Sequence, residues 1–135
     1  MDLNQVTLGA IDLDASISFY KTLGLRLIVF SENHYARFEL PSGNATLSLH
    51  KVEGPSTNTG SGLIYFEVPD VDAEVTRLET AGIAFDAQPV DQRWLWREAY
   101  LSDPSGNRLC LYHAGVNRRY PPWRVSEPNS QAPDN

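Results

Sequence analysis

The sequence predicts an α+β domain built from two tandem βαβββ modules, each with one helix on the apolar face of its sheet. Three observations predict it. First, the chain repeats itself: a shift of 58 positions lays Val6, Leu8, Ala10, Asp12, Asp14, Ile17 and Gly24 on Ile64, Phe66, Val68, Asp70, Asp72, Val75 and Gly82. Pro41-Ser42-Gly43-Asn44 recurs as Pro104-Ser105-Gly106-Asn107. Second, apolar residues in each copy alternate in short runs, except in one stretch where they recur every three or four positions. That is the pattern of one helix among several strands. Third, the 135 residues are 41% hydrophobic and 21% charged, the composition of an ordinary globular domain.

The elements follow in order. Residues 5–10 alternate as a strand and run into Asp12 and Asp14, whose carboxylates cap a helix by accepting its first free amide protons. Ile17, Tyr20 and Leu23 form that helix's buried face. Gly24 stands where a left-handed C-terminal cap is wanted. Strands are predicted over 25–30, 35–40 and 45–50, parted by turns at Ser31-Glu32-Asn33-His34 and Pro41-Ser42-Gly43-Asn44. The second copy repeats this: a strand over 63–68, a helix capped by Asp70 with Val71, Val75 and Leu78 buried, then strands over 83–88, 93–101 and 108–113. Module one therefore covers 3–50, a Gly- and Ser-containing linker 51–61, and module two 62–113, together a single domain of residues 1–113. Residues 114–125 carry Tyr120, Pro121, Pro122 and Trp123 on a stiff segment, either a strap on its own domain or an arm toward a partner. Residues 126–135 have little to bury and are expected to be disordered.

Strand side chains alternate between faces, and the two parities differ in kind. One holds Val6, Leu8, Ala10, Ala36, Phe38, Leu47, Leu49, Ile64, Phe66, Leu101, Leu109 and Leu111, which should lie under the helices. The other holds Gln5, Tyr35, Arg37, Ser48, His50, Tyr65, Glu67, Trp94, Trp96, Glu98, Tyr100, Arg108, Cys110 and Tyr112. Rings interspersed with a few hydrogen-bonding groups suit a concave small-molecule site, and also a subunit interface. This phase puts Arg97 on the helix side unless a bulge or a strand end intervenes.

Eleven basic against seventeen acidic residues give a formal charge of −6, so nucleic acid is not an expected partner. A single cysteine excludes an internal disulfide and fits a reducing compartment. The longest hydrophobic run, residues 27–30, is far too short to cross a bilayer, and the first residues show no basic region leading into an apolar one. The expectation is a cytoplasmic chain with no membrane partner.

The ordered set Asp12-Leu13-Asp14-Ala15-Ser16-Ile17-Ser18-Phe19-Tyr20, Leu23-Gly24-Leu25, Phe66-Glu67-Val68-Pro69-Asp70, Arg97-Glu98-Ala99-Tyr100-Leu101 and Asp103-Pro104-Ser105-Gly106-Asn107 resembles the vicinal oxygen chelate superfamily. That group contains glyoxalase I, bleomycin resistance proteins and extradiol dioxygenases. The resemblance implies sheets curved round a cavity, commonly in a homodimer whose subunits exchange modules. It also implies a divalent metal held by the first and last strand of each module. Carried onto this chain, the four ligand positions are Gln5, Ser48, Leu63 and Cys110, with a strict count from Gly43 selecting Leu47 instead of Ser48. Leucine has no lone pair and serine is a poor ligand, so no metal or other cofactor is expected at these positions.

The resulting expectation is a bleomycin-resistance-like protein binding an aromatic or cationic small molecule. Its ligand-binding candidates are Gln5, Arg37, Ser48, His50, Leu63, Tyr65, Trp96, Glu98, Tyr100, Arg108, Cys110 and Tyr112. One alternative is a metal-dependent lyase, isomerase or dioxygenase with a rearranged site around Gln5, His50 and Glu98. Were there catalysis, Glu98, His50 and Cys110 are the candidate groups. A second alternative is an interaction module whose cavity is filled by its own side chains.

Overall fold

The computed structural model describes residues 1–54 and 62–126. Module one comprises β1 (Gln5–Ala10), α1 (Leu13–Leu23), β2 (Arg26–Ser31), β3 (Tyr35–Glu39) and β4 (Thr46–Lys51). Module two comprises β5 (Ile64–Glu67), α2 (Val71–Thr80), β6 (Val90–Asp91), β7 (Arg97–Ser102) and β8 (Arg108–His113). Each module is a four-stranded sheet, ordered β1-β4-β3-β2 and β5-β8-β7-β6. The repeat thus reaches topology: first and last strands pair in parallel, and the other pairs are antiparallel.

The capping chemistry is as the sequence demands. Asp12 and Asp70 each accept a backbone N–H three residues on, from Ala15 and Ala73, at 3.0 Å. Gly24, at φ 108°, ends α1 in the left-handed region where a Cβ would clash.

One core joins the modules. Ile17, Tyr20 and Leu23 of α1, Phe38, Leu47 and Leu49 of sheet one, Leu78 of α2 and Leu101, Leu109 and Leu111 of sheet two are buried in a single cluster. Both helix-side faces therefore turn toward shared apolar volume, and alternation turns both opposite faces away from it. Polar contacts reinforce the union. The Tyr20 hydroxyl donates to Asp103 Oδ2 at 2.7 Å, Asn107 Nδ2 donates to the Gly9 carbonyl at 2.9 Å, and the Ile11 N–H donates to Ser105 Oγ at 2.8 Å.

Two strands differ from expectation. The predicted strand over 83–88 is a loop, tied to β7 through the Asp86 N–H and the Tyr100 carbonyl at 2.9 Å. Pro89 offers no donor to continue a ladder, and pairing resumes only at Val90 opposite Glu98. The strand predicted from 93 starts at Arg97, because Gln92 to Leu95 form a turn with Leu95 at φ 70°. Arg97 does lie on the helix side. It sits at the strand end, where its guanidinium grips Asp72 of α2 through two 2.8 Å bonds and Asp91 through one of 2.9 Å.

Beyond β8 a short 3-10 turn, Gly115–Arg118, is followed by irregular chain. Arg124 lies over the Tyr120 ring at 4.3 Å. Tyr120 and Trp123 are themselves more than half exposed. The disorder expected for 126–135 falls, beyond Ser126, outside the described residues, as does most of the linker. Among the described residues no helix is long and apolar enough to cross a membrane.

Candidate functional site

The free face of sheet one is a hydrogen-bonded polar relay. Register sets Arg37 of β3 beside Ser48 of β4, and Tyr35 beside His50. Gln5 of β1 donates through Nε2 to Ser48 Oγ at 2.8 Å, Ser48 Oγ and Tyr35 Oη are 2.6 Å apart, and Arg37 Nε donates to Tyr35 Oη at 2.9 Å. Thr46 Oγ1 donates to Gln5 Oε1. The Ser48 bond and the adjacent guanidinium hold the Tyr35 phenol below its ordinary range. His50 is exposed at the end of this row.

The free face of sheet two is aromatic. Trp96, just before β7, stacks on Tyr112 of β8 at 4.8 Å between centroids, and Tyr65 of β5 stands edge-on to both, at 5.7 and 5.3 Å. Offset and edge-to-face pairs of this kind hold rings more firmly than area burial alone. Glu98 is 2% exposed and accepts from Trp94 Nε1 at 3.0 Å and from the Tyr100 hydroxyl at 2.5 Å. Beside it Cys110 is fully buried, and burial, aided by the Glu98 charge, pushes its thiol up to about 12. Burial likewise raises Tyr65, Tyr100 and Tyr112. Arg108 is turned outward onto Asp86 at 2.6 Å.

The structure brings these residues together in two groups. Gln5, Arg37, Ser48 and His50 share sheet one. Tyr65, Trp96, Glu98, Tyr100, Arg108, Cys110 and Tyr112 share sheet two, with Leu63 packed beside Cys110, Trp96 and Tyr100. A groove of about 370 Å³ runs between the first strands of the two modules, lined by Gln5, Thr46, Leu63 and Tyr65 among others. The three catalytic candidates are not assembled: His50 belongs to one sheet, Glu98 and Cys110 to the other. Thr46, Trp94 and Glu67 were outside the expected site set. Thr46 shares the parity of Ser48 two residues on, which is the clue that points to it.

The four family ligand positions do not fit a divalent ion. Gln5 and Ser48 already bond each other, Leu63 offers no donor atom, and the Cys110 thiol holds its proton at neutral pH. Among the described residues no three His, Cys, Asp or Glu side chains gather as a metal centre.

A duplicated βαβββ unit whose free faces carry rings and hydrogen-bonding groups defines the vicinal oxygen chelate class of fold. Residues 2–111 match the profile of the Glyoxalase/Bleomycin resistance protein/Dioxygenase superfamily, and the chain belongs to it. An uncharacterised protein of Mycolicibacterium smegmatis is 34% identical over 112 residues, covering 82% of this chain and 92% of that one. The anthracycline biosynthesis protein DauV of Streptomyces sp. strain C5 is 30% identical over 125 residues, 81% of this chain and 46% of DauV, so the chain spans about half that relative's length. A bleomycin-binding protein solved in complex with bleomycin is 21% identical and superposes with a TM-score of 0.66, covering 84% of this chain and 98% of that one.

Proposed function

We propose that this chain is a small-molecule-binding member of the superfamily that works without the family metal and holds a planar aromatic or cationic ligand against the free face of sheet two. The carrying observation is the ring group Tyr65, Trp96 and Tyr112 beside the buried carboxylate of Glu98. Ring faces and a carboxylate attract a flat cation through stacking, cation–π and Coulomb terms together. The relationship to DauV and to a bleomycin-binding protein supports a ligand of that kind.

The working unit is a homodimer. Within one chain the helix-side faces share a core and both free faces turn away from it, so a cavity closed over either face needs a second copy. Size-exclusion chromatography should give twice the mass of the chain.

The test uses untagged protein and two probes, bleomycin and daunorubicin, followed by tryptophan fluorescence. One of them is expected to bind with a Kd on the order of micromolar, and Trp96→Ala should weaken it by about 1–3 kcal/mol. Metal analysis of the same sample should find well under one ion per chain. A stoichiometric divalent ion that survives dialysis overturns this reading in favour of the metal-dependent lyase, isomerase or dioxygenase. The rings of sheet two also occupy one another's faces, which favours a second reading, an interaction module. Dimer formation with no response to either probe selects it.

A further inference from the structure

The geometry points to a second, oppositely charged site: the free face of sheet one is a receptor for the carboxylate of a small ligand, with Arg37 and Tyr35 as its donors.

The inference rests on where each proton in the relay goes. Ser48 is fully buried, so its hydroxyl proton needs an acceptor within the protein. Its oxygen already accepts from Gln5 Nε2 at 2.8 Å, and Tyr35 Oη, at 2.6 Å, is the acceptor within reach. The Ser48 proton therefore points at Tyr35. Arg37 Nε points at the same oxygen from 2.9 Å. Tyr35 Oη thus accepts twice, and its own proton has no acceptor among the described residues.

Arg37 has further unused donors. Its terminal nitrogens meet no carboxylate or carbonyl among the described residues, whereas Arg26, Arg77, Arg97 and Arg108 each sit against an acid. The guanidinium lies over the Tyr35 ring, 5.4 Å from its centroid. Free acceptors are scarce beside Arg37 and Tyr35. Gln5 Oε1 is taken by Thr46, Ser48 Oγ by Gln5, and Glu39, the carboxylate of the same β3 parity, faces Arg26 at 3.6 Å. The remaining acceptors of this face, Glu39 and His50, stand at the strand ends, and among the described residues no carboxylate is within ion-pair distance of Arg37 to draw a cation there. A carboxylate would receive the guanidinium fork and the phenol proton, the arrangement in which charge-assisted hydrogen bonds are strongest.

This site lies on the other sheet from the ring group and carries the opposite preference, so it stands independently of the reading above. The experiment is calorimetric titration of the full chain with 2-naphthoate, 2-naphthamide and 2-naphthylmethylammonium, which share one ring system and differ in charge. We expect 2-naphthoate to bind about tenfold or more tightly than the amide. Arg37→Gln should abolish that preference while leaving the amide unchanged, Arg37→Lys should restore part of it, and Tyr35→Phe should lower 2-naphthoate affinity about threefold. Thermal melts confirm that each variant is folded. Equal affinity for acid and amide, no binding of 2-naphthoate, or an Arg37→Gln variant that keeps the preference overturns the inference. Trp96→Ala is the separating control: it should weaken the ammonium compound and leave the acid-over-amide preference intact, so failure of one site is read apart from failure of the other.

Discussion

Single side chains decide the chemistry of both free faces. Cys110 is the clearest case. Its position matches a family ligand position, yet full burial beside Glu98 keeps it a neutral thiol, a packed group and not a nucleophile. The proton linkage has a definite sign. An unfolded thiol ionises near 9.0 and the folded one near 12, so the stability this group contributes is complete below pH 9 and is lost as pH rises toward 12. Melting curves between pH 8 and 11 should therefore fall, and Cys110→Ala should fall less steeply from a plateau lowered by about 1 kcal/mol. Parallel curves for the two proteins would contradict this. The residue scale is also where sequence reading stopped short. The family resemblance, with strand phase choosing Ser48 over Leu47, picked out Gln5, Ser48, Leu63 and Cys110 as positions, but it could not show that Gln5 and Ser48 bond each other, because a hydrogen bond across β1 and β4 depends on register.

At the scale of elements, alternation and helical spacing carried most of what was legible. Caps at Asp12 and Asp70, the buried stripes of both helices and the parity of β3, β4, β7 and β8 were all visible, since each follows from a local period. The loop over 83–88 was not, because its apolar residues satisfy a strand pattern, while only the single Asp86 to Tyr100 backbone bond forms before Pro89 interrupts the pairing. The segment after β8 was open to two readings. Its first turn is fastened by Glu67, which accepts the Ala114 and Gly115 N–H groups at 2.8 Å. Burial works to raise that carboxyl, but the two backbone donors outweigh it and hold it below its ordinary value. The fastening is thus complete above the ordinary carboxylate range and is lost as pH falls below that range to the lowered folded value. Glu67→Ala should cut hydrogen-exchange protection of the Ala114 and Gly115 amides about tenfold, roughly the loss of one charge-assisted contact, while β8 keeps its protection. Loss spread evenly over module two would mean that Glu67 supports the sheet and not the turn.

At the scale of the whole molecule, the two modules share a core and should unfold together. A buried cluster shared by both modules and the Tyr20 to Asp103 bond join them, because a module this small buries little core by itself. Burial and the Asp103 charge push the Tyr20 phenol well above its normal range, so it stays a donor at any pH the fold survives. Tyr20→Phe removes that donor from a buried carboxylate. It should lower unfolding free energy in urea by about 2 kcal/mol and leave a single transition. Two separated transitions in the wild-type chain would show that the modules fold independently.

The repeated Pro-Ser-Gly-Asn turn has one more consequence. In module two Asp103 precedes it and reaches Tyr20; in module one Leu40 stands in the place of Asp103 and Leu78 in the place of Tyr20. No matching bond forms, and Leu40, Pro41 and Ser42 instead border an open groove of about 210 Å³ against Tyr65, Glu67 and Leu78. The two copies of one turn thus do different work: the second fastens the modules together and the first borders a groove. Substitutions in the first turn should therefore cost little stability and alter the groove, whereas substitutions at Asp103 should loosen the union of the modules.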